Sequence, residues 1–253
     1  MAYAKIIDID DPGYFRLKSI DQSQLKQFLK NPADWAYHRL NDDHKPTDAM
    51  KFGTAFHAYL LGTSDVVSLP EGESFRSKDN QKWRADQLEA GNIIVSYNDM
   101  QLLKRMKEGI EQTSLMPEYP DYMEIIEQGT KEQCIEWKDR QTGLMLKAKP
   151  DLIPAGTDYL VDLKTAQKAD AESFAKEVIN YGYHIQTVFY RAAVAACKPD
   201  AFDRGSKAPS TMQFWVFEKN PMPATGSLSA SAMTIRSRIL PRPASAKHSW
   251  ASP

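Results

Sequence analysis

The chain has 253 residues, 42% hydrophobic and 26% charged, a balance that excludes global disorder and collagen-like repeats. Its length fits one large domain or two small ones, no apolar run approaches the ~18 residues of a membrane span, and Met1 to Asp11 lacks the basic-then-apolar pattern of a secretory signal. Two cysteines, Cys134 and Cys197, are too few for a disulfide framework, a four-thiolate zinc site or an iron–sulfur cluster, so a reducing, cytoplasmic compartment is expected. The charge is unevenly divided: residues 1–218 carry 27 basic and 33 acidic side chains, net −6, whereas residues 219–253 carry five basic and no acidic ones. A global basic footprint for nucleic acid is absent, so any DNA contact must run through a local groove or a metal site.

In chain order, a short N-terminal extension (residues 1–18) precedes two short helices over residues 19–40. Ser19 or Asp21 can cap the first, and Asn31-Pro32 breaks it from the second. Thr47 to Leu61 is the most apolar helix of the chain, with Thr47 as N-cap and Gly62 as the stop. Phe52, Ala55, Phe56 and Leu60 leave it little polar face, which predicts burial, and His57 sits inside it. Residues 63–120 are more polar, with helical character from Asn98 to Thr113 and no motif. Strand patterning predicts Met123–Gln128, Lys131–Lys138, Leu144–Ile153 and Tyr159–Lys164, separated by turns. Two helices follow, one capped by Asp170 and stopped at Gly182, the other from His184 to Cys197; Thr211–Glu218 is a last strand. This order predicts an α/β domain with a mixed sheet.

From residue 219 the chain becomes basic and rich in Ser, Ala and Pro, with a weak helical pattern from Leu228 to Leu240. It is open to three readings: a disordered or loosely attached terminus, a basic DNA-tethering arm, or an out-of-frame replacement of another C-terminus.

The stretch Lys149 to Thr165 carries the chemistry. A hairpin turning at Gly156-Thr157 sets Asp151 opposite Asp162, with Cβ atoms ~4.5–5.5 Å apart. Like charges facing each other are destabilising unless a cation sits between them. Strand alternation puts Asp162 and Lys164 on one face and Val161 and Leu163 in the core. Two carboxylates and an ammonium at a strand end are what metal-assisted phosphodiester hydrolysis needs: hard oxygen donors for Mg²⁺ or Mn²⁺, and a cation for developing negative charge. On its own, an Asp-x-Lys on a strand is usually an incidental charge pair on a solvated face.

Pro150-Asp151, then Asp162-Leu163-Lys164, resembles the PD-(D/E)XK nuclease signature. Phe52-Gly53-Thr54-Ala55-Phe56-His57-Ala58 resembles the upstream helix of the RecE-type exonucleases (exonuclease VIII, lambda-exonuclease-like), and Tyr181-Gly182-Tyr183-His184-Ile185-Gln186 through Tyr190 resembles their downstream Gln-x-x-x-Tyr helix. The likeness spans residues 19–218, poorly over 63–120. It implies a restriction-endonuclease-like core, a mixed central sheet flanked by helices, with an N-terminal helical portion. It also implies metal ligation by Asp151, Asp162, the Leu163 carbonyl and His57, with Lys164 as the catalytic lysine and Gln186 and Tyr190 holding Lys164 or a DNA phosphate. A packed core histidine, and ordinary buried hydrogen bonds for Gln186 and Tyr190, are the plainer alternatives.

The same resemblance implies an Mg²⁺-dependent (Mn²⁺ possible) exodeoxyribonuclease of phage or prophage type, without an iron–sulfur cluster. It would digest linear double-stranded DNA 5′-to-3′ to leave 3′ single strands. The implied partners are DNA ends, a single-strand annealing or recombinase protein, and further copies in a trimeric or tetrameric ring. An endonuclease on the same fold, or an inactive nuclease-like DNA-binding protein, are the competing expectations.

Overall fold

A computed structural model describes residues 4–41, 46–198, 201–202, 208–219 and 231–235. Its elements are β1 (Ala4–Ile7), α1 (Asp11–Arg16), α2 (Gln22–Lys30), α3 (Pro32–Asn41), α4 (Asp48–Leu61), β2 (Val66–Val67), α5 (Lys78–Glu89), β3 (Ile93–Ile94), α6 (Tyr97–Ser114) and α7 (Tyr122–Gln128). Then come β4 (Thr130–Lys131), β5 (Cys134–Lys138), β6 (Met145–Ala148), β7 (Leu152–Ile153), β8 (Tyr159–Ala166), α8 (Ala171–Asn180), α9 (Tyr183–Ala196), β9 (Thr211–Glu218) and β10 (Ser231–Ile235).

The main sheet has the order β10-β9-β8-β7-β4. β8 and β9 are parallel, joined through α8 and α9, and the other neighbours are antiparallel. A second antiparallel sheet has the order β1-β5-β6, and β2 and β3 form a small parallel pair. The fold is the expected mixed α/β arrangement of the restriction-endonuclease-like class.

Side chains of β8 and β9 alternate between two apolar layers. Leu160, Met212, Phe214 and Val216 pack with Phe174 of α8, Phe189 of α9 and Trp137 of β5. Val161, Leu163, Trp215 and Phe217 pack with Phe52 and Phe56 of α4, Leu103 and Met106 of α6, and Tyr122 of α7. The central parallel pair is thus covered on both faces, as parallel strands must be when helices cross over them. α4 is held by the caps its sequence specifies: the Thr47 hydroxyl accepts from the Met50 N–H, and Gly62 takes the left-handed conformation, φ 68°.

Four local expectations are corrected. Met123–Gln128 lies in helix α7, not a strand: Asp121 caps it by accepting from the Glu124 N–H, and Tyr122 and Ile126, four apart, are the residues it buries. The single strand expected over Leu144–Ile153 is split at Lys149-Pro150-Asp151 into β6 and β7, which belong to different sheets. The N-terminal residues are not a mere extension, since β1 pairs with β5 and Lys147 reaches from β6 to the Tyr14 and Leu17 carbonyls at 2.8 and 3.0 Å. Within the helical pattern from Leu228 to Leu240, residues Ser231–Ile235 are a strand paired with β9. The remaining tail, 220–230 and 236–253, lies outside the described residues.

Candidate active site

The β7–β8 hairpin turns at Gly156, φ 67°, and pairs Leu152 with Val161, the register that sets Asp151 opposite Asp162. Beyond that pair the chain leaves β8, because Pro150 has no N–H to continue a ladder. The gap exposes the Leu163 N–H and carbonyl on the edge of β8 away from β9. Side chains satisfy both groups: Asp151 Oδ2 accepts from the Leu163 N–H at 2.7 Å, and His57 Nε2 lies 2.9 Å from the Leu163 oxygen. The other ring nitrogen, Nδ1, is 3.6 Å from Asp151 Oδ1. With Nε2 carrying the proton that the Leu163 oxygen accepts, one imidazole bridges a carboxylate and a carbonyl.

Asp162 points to the opposite layer and is 1% exposed, so the solvated-face alternative for this strand is excluded. Gln186 Nε2 of α9 donates to Asp162 Oδ1, and the Lys164 ammonium pairs with Asp162 Oδ2. Among the described residues no donor other than Lys164 reaches Oδ2, a buried acceptor atom. Lys164 also lies over the ring of Tyr183 at 4.7 Å and Phe214 at 5.9 Å.

The electrostatics follow from this burial. Burial raises the Asp151 carboxyl to about 6; Asp162 pushes the same way, while His57, Lys164 and the Leu163 N–H oppose it. Burial alone would lower the Lys164 pKa, but the Asp162 and Asp151 carboxylates overcome it and hold the ammonium above its ordinary value. At neutral pH Lys164 is therefore a fixed cation, suited to orienting a nucleophile and stabilising charge rather than to accepting a proton.

Asp151, Asp162, Leu163, Lys164, His57 and Gln186 thus form one connected cluster. Two details differ from expectation. Gln186 holds Asp162, not Lys164. Tyr190 is buried in the apolar layer on the α9 side and makes no hydrogen bond to Lys164; burial drives its phenol well above the usual range. His184 is exposed in the first turn of α9, whose N-terminus has no side-chain cap.

Among the described residues, no three His, Cys, Asp or Glu side chains are gathered as a closed metal cage. The donor chemistry nevertheless fits a hard divalent ion: two carboxylates and a carbonyl oxygen, with Lys164 the one partner at Asp162 Oδ2 among the described residues. Sequence reasoning missed Lys26 of α2, whose ammonium donates to the Tyr181 carbonyl at 2.9 Å. Burial, then repulsion from Lys164, lowers its pKa to about 8. No motif flags it; the signal lay only in the likeness of its helix to the family's N-terminal pair.

No helix among the described residues is long and apolar enough to cross a membrane. No curated protein sequence matches this chain. A family model described as a PDDEXK-like domain of unknown function (DUF3799) does match, over residues 21–239, from the cap of α2 to just beyond β10.

Proposed function

This chain belongs to the PDDEXK-like family DUF3799, and from that premise we propose that it is a divalent-metal-dependent deoxyribonuclease. One observation carries the reading: Asp151, Asp162, Lys164 and His57, drawn from a hairpin and a helix 94 residues apart in the case of His57 and Asp151, meet in one buried cluster with Leu163. Burying two carboxylates close enough to raise the pKa of Asp151 costs stability unless cations offset them.

Asp151, Asp162 and the Leu163 carbonyl would hold the ion, with His57 buttressing Asp151 and Leu163. When bound, a divalent ion supplies Lewis acidity toward the phosphoryl oxygen and lowers the pKa of water. Lys164, kept cationic by its carboxylates, orients the attacking water and stabilises negative charge on the phosphate as the P–O bond breaks. Gln186 keeps Asp162 from rotating away. The acidic balance of residues 1–218 confines DNA contact to local lysines, so affinity falls steeply with salt.

At the finer level we propose Mg²⁺ as the ion, linear double-stranded DNA as substrate and 5′-to-3′ digestion from an end. The products would be 3′ single strands for an annealing or recombinase partner, made by a ring of three or four copies. The likeness of Phe52–Ala58 and Tyr181–Tyr190 to RecE-type exonucleases supports these points. The test is incubation of linear duplex labelled at either 5′ or 3′ ends, and of covalently closed circles, with Mg²⁺ or chelator. Metal-dependent loss of linear DNA by the parent, but not by Asp162→Asn or Lys164→Ala, is expected, with closed circles intact. Equal digestion by either variant removes these residues from the reaction; cutting of closed circles overturns the exonuclease assignment.

A further inference from the structure

A ladder of rings leads from Lys164 to the surface. Tyr183, beneath the Lys164 ammonium, stacks on Phe214 at 5.3 Å with an interplanar angle of 21°. Its outward neighbour is Tyr181, 5.8 Å away at 30°. Tyr181 is 59% exposed, so the ladder ends at solvent.

The root of that ring is fixed. Tyr181 is the C-cap of α8, its N–H donating to the Glu177 carbonyl at 2.9 Å, and its own carbonyl accepts from Lys26. Gly182 follows in the left-handed conformation, φ 64°, and opens α9 without a side-chain cap. A Cβ at Gly182 would lie 2.8 Å from Lys26 Cδ, so the bare glycine lets the lysine stem lie across the turn. Two ammoniums, Lys26 and Lys164, therefore bracket the segment Tyr181–Tyr183, like charges drawn to one place by neighbours on three different elements. An exposed flat ring beside a cation, one ring step from the lysine of the cluster, matches the chemistry of an unpaired nucleotide: base on ring, phosphate on ammonium.

We propose that Tyr181 is a stacking platform for an unpaired base next to the scissile phosphate, with Lys26 holding that nucleotide's phosphate, so the strand enters the site single-stranded at this position. The proposal deepens the nuclease reading and rests on it for the position of the scissile bond. It does not require hydrolysis to be tested.

The experiment measures binding of short single-stranded oligonucleotides to the full chain by fluorescence anisotropy, with Ca²⁺ in place of Mg²⁺. Removing a stacked base partner costs about tenfold in affinity, so Tyr181→Ala should bind about ten times more weakly than the parent, while Tyr181→Phe and Tyr181→Trp bind within about twofold. Lys26→Gln should lower the slope of log K against log salt by about 0.7. A series of oligonucleotides with one abasic position each should contain one member that binds the parent as weakly as Tyr181→Ala binds the intact strand, and that loses nothing further in the variant. A general packing defect would not produce this coupling. Unchanged binding by Tyr181→Ala, additive losses at every abasic position, or no single-strand binding by the parent overturns the platform. A parent that binds in this way yet leaves DNA uncut in Mg²⁺ overturns the nuclease reading and leaves the platform standing.

Discussion

Gln186→Leu separates the reading of Asp162 as a held ligand from that of a merely buried acid. Gln186 and Asp162 are 4% and 1% exposed, so water cannot replace the lost donor. A hydrogen bond to a charged group contributes about 1.5–3 kcal/mol. The leucine keeps most of the volume and recovers about 1 kcal/mol of apolar burial, leaving a net loss of about 0.5–2 kcal/mol. With one oxygen unrestrained, Asp162 swings about its Lys164 contact, and metal affinity should fall about 10- to 100-fold, as when a ligand's hydrogen-bond partner is removed. Urea unfolding in chelator measures the first quantity; Mg²⁺ titration of DNA cleavage measures the second. In an Asp162→Asn background the stability cost of Gln186→Leu should shrink, because the charge that needed the donor is gone. Wild-type stability together with an unchanged Mg²⁺ midpoint, or strict additivity in that double cycle, would refute the argument.

Three further predictions concern the surroundings. The Asp151 carboxyl is raised to about 6, so its protonated form stabilises the metal-free chain fully below about pH 4, a contribution lost as pH rises through about 6. Urea midpoints in chelator should therefore fall across that window for the parent relative to Asp151→Asn, and a constant difference would count against the shift. Lys147→Met deprives the Tyr14 and Leu17 carbonyls of a buried donor and should cost about 2–3 kcal/mol in the same assay; a neutral substitution would show that the N-terminal segment is held otherwise. Gly182→Ala forces a Cβ into a left-handed turn and against Lys26, so a loss of about 1 kcal/mol is expected in melting or urea experiments. Full stability of that variant would mean the turn relaxes freely.

What was legible in the sequence was whatever local rules determine. Thr47 and Gly62 bound α4, Asp170 caps α8, and the turn at Gly156 sets the hairpin register, because each rests on contacts a few residues apart. Thr211–Glu218 is β9 from end to end, since its apolar run is short and flanked by breakers. Met123–Gln128 was misread because its six residues carry too few turns to reveal a helical period, and the Asp121 cap decides the matter. The break at Pro150 was hidden by apolar residues on both sides that continue into separate sheets. At the site, the acidic pair and Lys164 follow from strand geometry. Gln186 was identified by the motif, but its partner was not, because which of two adjacent side chains α9 meets depends on helix rotation over the sheet. Lys26 lies 138 residues from Lys164, and only the tertiary fold brings it near.

The cluster is stitched through the sheet: α4 supplies His57 from one layer and α9 supplies Gln186 from the other, with β8 between them. During synthesis the acidic hairpin leaves the ribosome well before α9 and before β9, the strand that pairs along all of β8. A nascent or truncated chain ending ahead of these elements carries the reactive groups without the frame that aligns them. The aligned geometry of the cluster is therefore tied to completion of the domain.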